Sequence, residues 1–296
     1  MSARIALVLA CLFWAGNFAV GRVIADQIPP ALLSFLRWAV ALCVLLPFAF
    51  ARRAEAMQLL RGHFRWFFLM SLSSAAYHAI FVYTALEFTT ATNVALIMAG
   101  TPAMALLISA LLHGDRYGWF RIGVVALSFA GIAVLVWQRL SIPNTGDMLA
   151  CVAMTAWAYY NVALRDSPVK IDGTTMTTII AVLGVMIIAP LLALEVVFRG
   201  VPALSGEVML AVLYIGLFAS GLSYVLWNRG VAAIGAIHAA QFMNLVPLFG
   251  VLIGVVVLGE SFTLRHGVAA VLIISGLVLS EGEKGVRFIF RGKGEK

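Results

Sequence analysis

The sequence predicts an all-α integral membrane protein of ten transmembrane helices, built as two five-helix repeats of opposite orientation. Three observations predict it: a composition that water cannot hold, apolar runs of spanning length, and a set of residues that recurs at a nearly constant shift. Of 296 residues, 63% are hydrophobic and only 11% are charged, with a mean hydropathy of +1.03. A soluble domain carries roughly 25% charged residues, so the polar coat of a globule is missing. Disorder and a coiled coil fail the same test. One spanning helix takes about 20 apolar residues, which leaves room for ten or so helices and none for a soluble domain.

Taken in order, the apolar runs between charged or Pro/Gly-rich breaks fall near 4–24, 30–50, 64–86, 91–113 and 118–138, then near 146–165, 173–196, 206–229, 235–257 and 264–281. The first run reads as a helix rather than a cleaved leader. Its apolar stretch before Cys11 is too short for a lipidation signal, and Ala150-Cys151 repeats the Ala-Cys pair inside the chain. The connections at Phe88–Thr90 and Gly230–Ile234 are so short that the helices they join are expected to be antiparallel neighbours. With the N-terminus inside, fifteen of the twenty basic residues fall on the cytoplasmic side, among them Arg52, Arg53, Arg61, Arg65, Arg116 and Arg165. Only Arg22, Arg139, Arg199 and Arg265 fall outside, as the positive-inside rule requires. Both termini are therefore expected in the cytoplasm, the protein in the inner (plasma) membrane, and residues 282–296 as a basic cytoplasmic tail. The net charge of +7 is read as a topology signal rather than a nucleic-acid surface. Cys11, Cys43 and Cys151 all sit in apolar runs, where cysteine behaves as a small hydrophobe. No metal, disulfide framework or cofactor is expected.

A duplication sets the domain organisation. Trp14-Ala15 with Arg22 matches Trp157-Ala158 with Arg165 at a shift of 143. Thr101-Pro102 with Gly114-Asp115 matches Val246-Pro247 with Gly259-Glu260 at 145, and Gly123 and Gly131 correspond to Gly267 and Gly276. The repeats are residues 1–140 and 146–281. Five spans per repeat is an odd number, so the second copy enters the membrane with the opposite orientation.

At these residues the chain resembles the drug/metabolite transporter superfamily, in its ten-helix EamA-type branch. The Trp-Ala starts, the stretch LRWAVAL at Leu36–Leu42, and the helix ends TPAMALLISALLHGD and LVPLFGVLIGVVVLGE carry the likeness over nearly the whole chain. Gly114-Asp115 stands where the family pattern has Gly-Glu, and Thr101-Pro102 where Glu-Pro is common. The resemblance implies two five-helix halves around a central cavity that opens alternately to each side, and export of small metabolites. Within the superfamily, the aromatic-rich spans are most similar to the aromatic amino acid exporter (YddG-type) branch.

The residues themselves narrow the chemistry. All thirteen acidic residues fall at helix ends, in loops or in the tail, so no carboxylate is available at mid-membrane depth to hold a cationic drug or a coupling cation. Histidine is left as the group that titrates near neutrality. His78 lies well inside the third span beside Tyr77, with Phe81 one turn on, and His238 lies near the start of the ninth with Gln241 and Phe242 behind it. The competing reading of each is a histidine bonded to a neighbouring helix or sitting at the interface. Trp14 with Asn17, and Trp157 with Tyr160 and Asn161, place indole and polar groups on one helix face, as do Ser220, Tyr224 and Trp227 in the eighth span. Lipid cannot satisfy such groups, so they are read as cavity lining, with plain packing as the alternative. Asn93 completes the candidate substrate-binding set. Arg37 is the one Lys or Arg clearly within a span. Structural use is its better reading and binding of a substrate carboxylate the second. Pro102 and Pro247 are hinge candidates, each expected to bend its span, with static kinks as the alternative. Trp66, Trp119 and Trp137 are read as interface anchors.

No metalloprotease, nucleophile-elbow or phosphate-loop pattern is present in the sequence, so the chain is expected not to be an enzyme. The favoured reading is a secondary transporter, a single chain in the lipid bilayer, exporting amphipathic metabolites such as aromatic or hydrophobic amino acids, and facilitative. A proton-coupled exporter of apolar drugs is the second reading, and a membrane enzyme or structural subunit the third. Reporter fusions after Arg53 and after Lys284 should read cytoplasmic and one after Arg139 external. A cytoplasmic signal after Arg139 would remove the odd-helix argument.

Overall fold

A computed structural model describes residues 1–136, 144–258, 263–264, 267–276 and 278–279. Trp137, Arg139, Gly259, Glu260, Arg265 and the tail at 282–296 lie outside the described residues. Helix α1 (Ala3–Ile24) starts at Ser2, whose hydroxyl accepts the Ile5 N–H. Helix α2 (Pro30–Phe50) starts on a proline, which lacks an N–H that the first turn would leave unpaired in any case. A short polar helix α3 (Arg53–Gly62) precedes α4 (Phe64–Phe88), then α5 (Ala91–Met98), α6 (Thr101–His113) and α7 (Trp119–Val136). The second half of the chain forms α8 (Thr145–Arg165), α9 (Gly173–Arg199), α10 (Gly206–Ile234), α11 (Ala236–Gln241), α12 (Leu245–Leu258) and α13 (Gly267–Gly276). No strand occurs among the described residues.

Among the described residues, seven helical stretches are long and apolar enough to cross a membrane: α1, α2, α4, Asn93–His113, α9, α10 and Ala236–Ile253. Helices α7, α8 and α13 lie at the expected fifth, sixth and tenth spans but do not reach that length and hydropathy. Helix α8 is the least apolar of these because much of it faces protein: Trp157, Tyr160 and Asn161 are all buried. Partners are exchanged between the halves of the chain. Helix α1 lies against α10 and α12, α8 lies against α4, α5 and α6, and α2 packs along α9.

Two local expectations are corrected. The stretch Gly230–Ile234 is not a loop but the last turn of α10. The chain reverses at Gly235 alone, whose φ of 87° is open to glycine and strained for other residues. The prolines do not bend intact helices either. The fourth span breaks at Ala99-Gly100, before Pro102, which sits in the first turn of α6. The ninth span passes through a 3₁₀ turn at Phe242–Asn244 before Pro247. In each case proline starts a second half-helix, where its missing N–H is harmless.

Small residues let the helices approach closely. A Cβ on Gly184 of α9 would meet the Ala75 Cβ at 2.5 Å, and one on Gly216 of α10 would meet the Val40 Cβ at 2.5 Å. A Cβ on Gly123 would meet nothing. Gly184→Ala is therefore expected to destabilise the protein by about 1–3 kcal/mol through overpacking, while Gly123→Ala leaves stability within about 1 kcal/mol or raises it. Thermal unfolding in detergent checks both, and an unchanged midpoint for Gly184→Ala would contradict the contact.

Candidate functional site

Small and hydroxyl-bearing residues loosen two helices at matching places. Leu72–His78 in α4 and Ile215–Leu222 in α10 wind as π-helix. Serine hydroxyls bind carbonyls within these stretches: Ser74 donates to Met70 O, Ser220 to Ile215 O and Ser223 to Phe218 O. Carbonyls in the widened turns then accept bonds from other helices. Ala219 O takes the Trp14 indole N–H at 2.9 Å, Ala75 O that of Trp38 at 3.0 Å, and Ser74 O the Tyr224 hydroxyl at 3.3 Å.

These bonds hold a buried aromatic cluster between the halves of the chain. Trp157 is at its centre, with Trp14 at 5.0 Å, Tyr224 at 5.4 Å, Trp227 at 5.7 Å and His78 at 5.2 Å between ring centroids. Tyr160 stacks on Trp157 at 5.0 Å, and Trp38 meets Tyr224 at 4.8 Å. His78 Nδ1 lies 3.2 Å from Ala153 O, a bond that ties its ring to α8.

Two polar networks flank the cluster. In the first, Arg37 donates Nε–H to Ser220 Oγ at 2.5 Å, Nη1–H to the Tyr83 hydroxyl at 2.8 Å and Nη2–H to Ala219 O at 3.4 Å. Tyr83 in turn donates to Asn17 Oδ1 at 2.7 Å. In the second, the Trp227 indole N–H donates to Asn161 Oδ1 at 2.7 Å. Tyr160 donates to Asn228 Oδ1 at 2.5 Å, and Asn228 donates to Thr177. The Tyr83–Asn17 and Trp227–Asn161 bonds each span 66 residues, so both halves make the same kind of tie between their first and third long helices. Among the described residues, Ser34 Oγ, Trp157 Nε1, Gln241 Oε1 and Asn244 Oδ1 are buried without a hydrogen-bond partner. Such atoms are rare in folded proteins and mark places where a ligand or water belongs.

The two ends of the bundle differ. At one end, Asp147 accepts from Thr89 at 2.7 Å and Asn93 at 3.2 Å, and Arg199 pairs with Glu87 at 2.8 Å. There Glu195 also accepts the Ala31 and Leu32 N–H groups at the start of α2, where the helix dipole favours an anion. At the other end, Arg165 pairs with Asp115, which also accepts from Ser109 at 2.7 Å and Tyr117 at 3.1 Å. His113 pairs with Asp166 at 2.6 Å. A pocket of about 410 Å³ opens at this second end, lined by Asp115, Arg116, Tyr117, Arg121, Arg165 and residues 235–238. Bonds from Arg165 and Ser109 hold the Asp115 carboxyl well below the usual carboxylate range. A lowered folded-state pKa gives stabilisation that is full above the unfolded value and lost as pH falls through the folded one, so this lock stays closed throughout the neutral range.

The expected site residues are divided by this geometry. Trp14, Asn17, His78, Trp157, Tyr160, Tyr224 and Trp227 come together at the centre. Gln241 and Phe242 are buried beside α1, where Phe242 O accepts the Cys11 thiol at 3.1 Å. His238 lines the polar end pocket, and Asn93 belongs to the opposite end network. Tyr77 is 46% exposed and lines an apolar groove of about 680 Å³ between α4, α6 and α8, with Phe81 against it. In a helix, neighbours in sequence point about 100° apart, so His78 inside leaves Tyr77 outside. Tyr83, Asn228 and Thr177 were missed. The equal spacing of Asn17 to Tyr83 and Asn161 to Trp227 was the signal that could have found Tyr83.

Asn161→Ala removes the acceptor of a buried indole N–H and should cost about 1–3 kcal/mol. Trp227→Phe in the same background should cost much less than the sum of the single changes, as a double-mutant cycle of detergent unfolding would report. Strict additivity would show that the bond is not formed.

A sequence profile for the EamA-like transporter family matches residues 1–137 and again 144–281. An uncharacterized transporter of Archaeoglobus fulgidus is 28% identical over 94% of this chain and 96% of its own. A probable amino-acid metabolite efflux pump of Salmonella typhimurium is 25% identical over 92% of each chain. A crystal structure of 21% identity superposes with a TM-score of 0.76 over 94% of this chain and 96% of its own, which shows the shared fold.

Proposed function

This chain belongs to the EamA-like transporter family, a multi-pass membrane transporter rather than an enzyme, and on that premise we propose that it exports small amphipathic metabolites, aromatic or hydrophobic amino acids among them, by alternating access. One observation carries the reading: the buried cluster around Trp157 draws on both halves of the chain, yet leaves the Trp157 indole N–H without a partner in a place lipid cannot reach. Aromatic faces suit an apolar side chain, and indole, amide and hydroxyl groups suit its polar end. The Salmonella typhimurium relative's name supports the substrate class.

In this reading ten spans form two inverted repeats, 1–140 and 146–281, in the inner membrane, with both termini and the 282–296 tail in the cytoplasm. The partner exchange of α1 and α8 supports the repeat, since it treats the halves alike. The half-helix breaks before Pro102 and Pro247 act as hinges, and the end networks at Asp147 and at Asp115 open in turn. A single chain suffices. The spans hold no carboxylate among their central residues, so a zwitterion crosses with little net charge and follows its own gradient. A proton-coupled exporter is the second reading, favoured by one contact, His78 against Trp157.

Counterflow with purified protein in proteoliposomes, screened over amino acids and apolar drugs, tests this. Trp157→Ala and His78→Ala should each lower amino acid exchange by about tenfold, a loss of about 1.4 kcal/mol, with expression unchanged. Collapsing the proton gradient should leave exchange rates nearly as they were. Concentrative uptake driven by a pH gradient alone would replace the facilitator with the proton-coupled reading.

A further inference from the structure

The most unusual charge in the molecule is Arg37, which is 2% exposed near the middle of α2. A guanidinium carries five N–H donors, and its three hydrogen bonds, all to neutral oxygens, use three of them. Its remaining contacts are the rings of Trp38 at 5.5 Å and Tyr83 at 5.4 Å. No carboxylate pairs with it among the described residues. One turn earlier on the same helix, Ser34 is wholly buried and its hydroxyl has no partner. Two spare N–H groups and a spare O–H therefore stand about one helical turn apart, next to the aromatic cluster through Trp38 and Tyr224.

We propose that Arg37 and Ser34 form the subsite for a substrate carboxylate, so that the exporter is selective for aromatic or apolar carboxylates and rejects their neutral and cationic analogues. The proposal rests on the transport reading above and adds the substrate class. A buried cation without a counter-ion is costly in a low-dielectric interior, and an arriving carboxylate relieves that cost while accepting a forked pair of bonds.

The test uses purified full-length protein in detergent and its tryptophan fluorescence, titrated with phenylalanine, phenylacetate and phenylalaninamide. Phenylalanine should bind at least tenfold more tightly than phenylalaninamide, which lacks the carboxylate. Phenylacetate binding as well as phenylalanine would support the subsite and extend it to simple organic acids; phenylacetate binding weakly would support it for amino acids, provided the amide still fails. In Arg37→Gln the tenfold preference should vanish while Arg37→Lys keeps part of it, a change of selectivity that a purely structural arginine would not produce. If Arg37→Gln does not fold, the ligand series on the unaltered protein decides alone. Equal affinity for phenylalanine and its amide, or no binding of any of the three, overturns the carboxylate subsite. The exporter reading falls separately, only if the counterflow screen finds no transported solute.

Discussion

A bilayer interior offers no water to a polar group, so every donor and acceptor placed there must find its partner inside the protein or in what the protein carries. That constraint organises this molecule around Arg37. Its guanidinium reaches Ser220 on α10 and Tyr83 on α4, and through Tyr83 it reaches Asn17 on α1. One buried side chain thus ties four helices drawn from both halves of the chain. Aromatic rings pack against the same tie, Trp38 among them with its indole N–H bonded to the Ala75 carbonyl.

Those backbone oxygens come from a second consequence of the same constraint. A regular α-helix engages every interior carbonyl in its own ladder, which leaves only the second lone pair for other partners. The π turns in α4 and α10 release Ser74, Ala75 and Ala219 carbonyls toward Tyr224, Trp38 and Trp14. Local loss of helix regularity is compensated by bonds between helices. The cost falls where the residues are small, so that neighbouring backbones can come close, as Gly184 does to Ala75 and Gly216 to Val40.

Negative charge obeys the same rule by retreating to the ends. Asp147 and Glu87 are bonded at one end of the bundle, and Asp115 and Asp166 at the other. Exposed ion pairs of this kind contribute little stability each, unlike the buried bonds of the middle. The tightly packed aromatic middle and the weakly bonded ends are complementary in that respect.

By itself the sequence determined the membrane class, the helical character and the places where most helices begin and end, because composition and apolar run length are local quantities that a bilayer reads directly. It also picked out Trp14, Trp157, Tyr224 and Trp227, since indoles and phenols away from the interface stand out against lipid. Only the tertiary structure decided which side of each helix faces inward. That choice separated His78 from Tyr77, sent Asn93 to an end network and brought Tyr83 and Ser220 to Arg37. Spacing along one helix cannot settle such a matter when nearly every face is apolar, because the usual contrast between a wet side and a dry side is absent. The π turns were equally hidden, for they depend on hydroxyls competing for carbonyls and on partners arriving from helices far away in the chain.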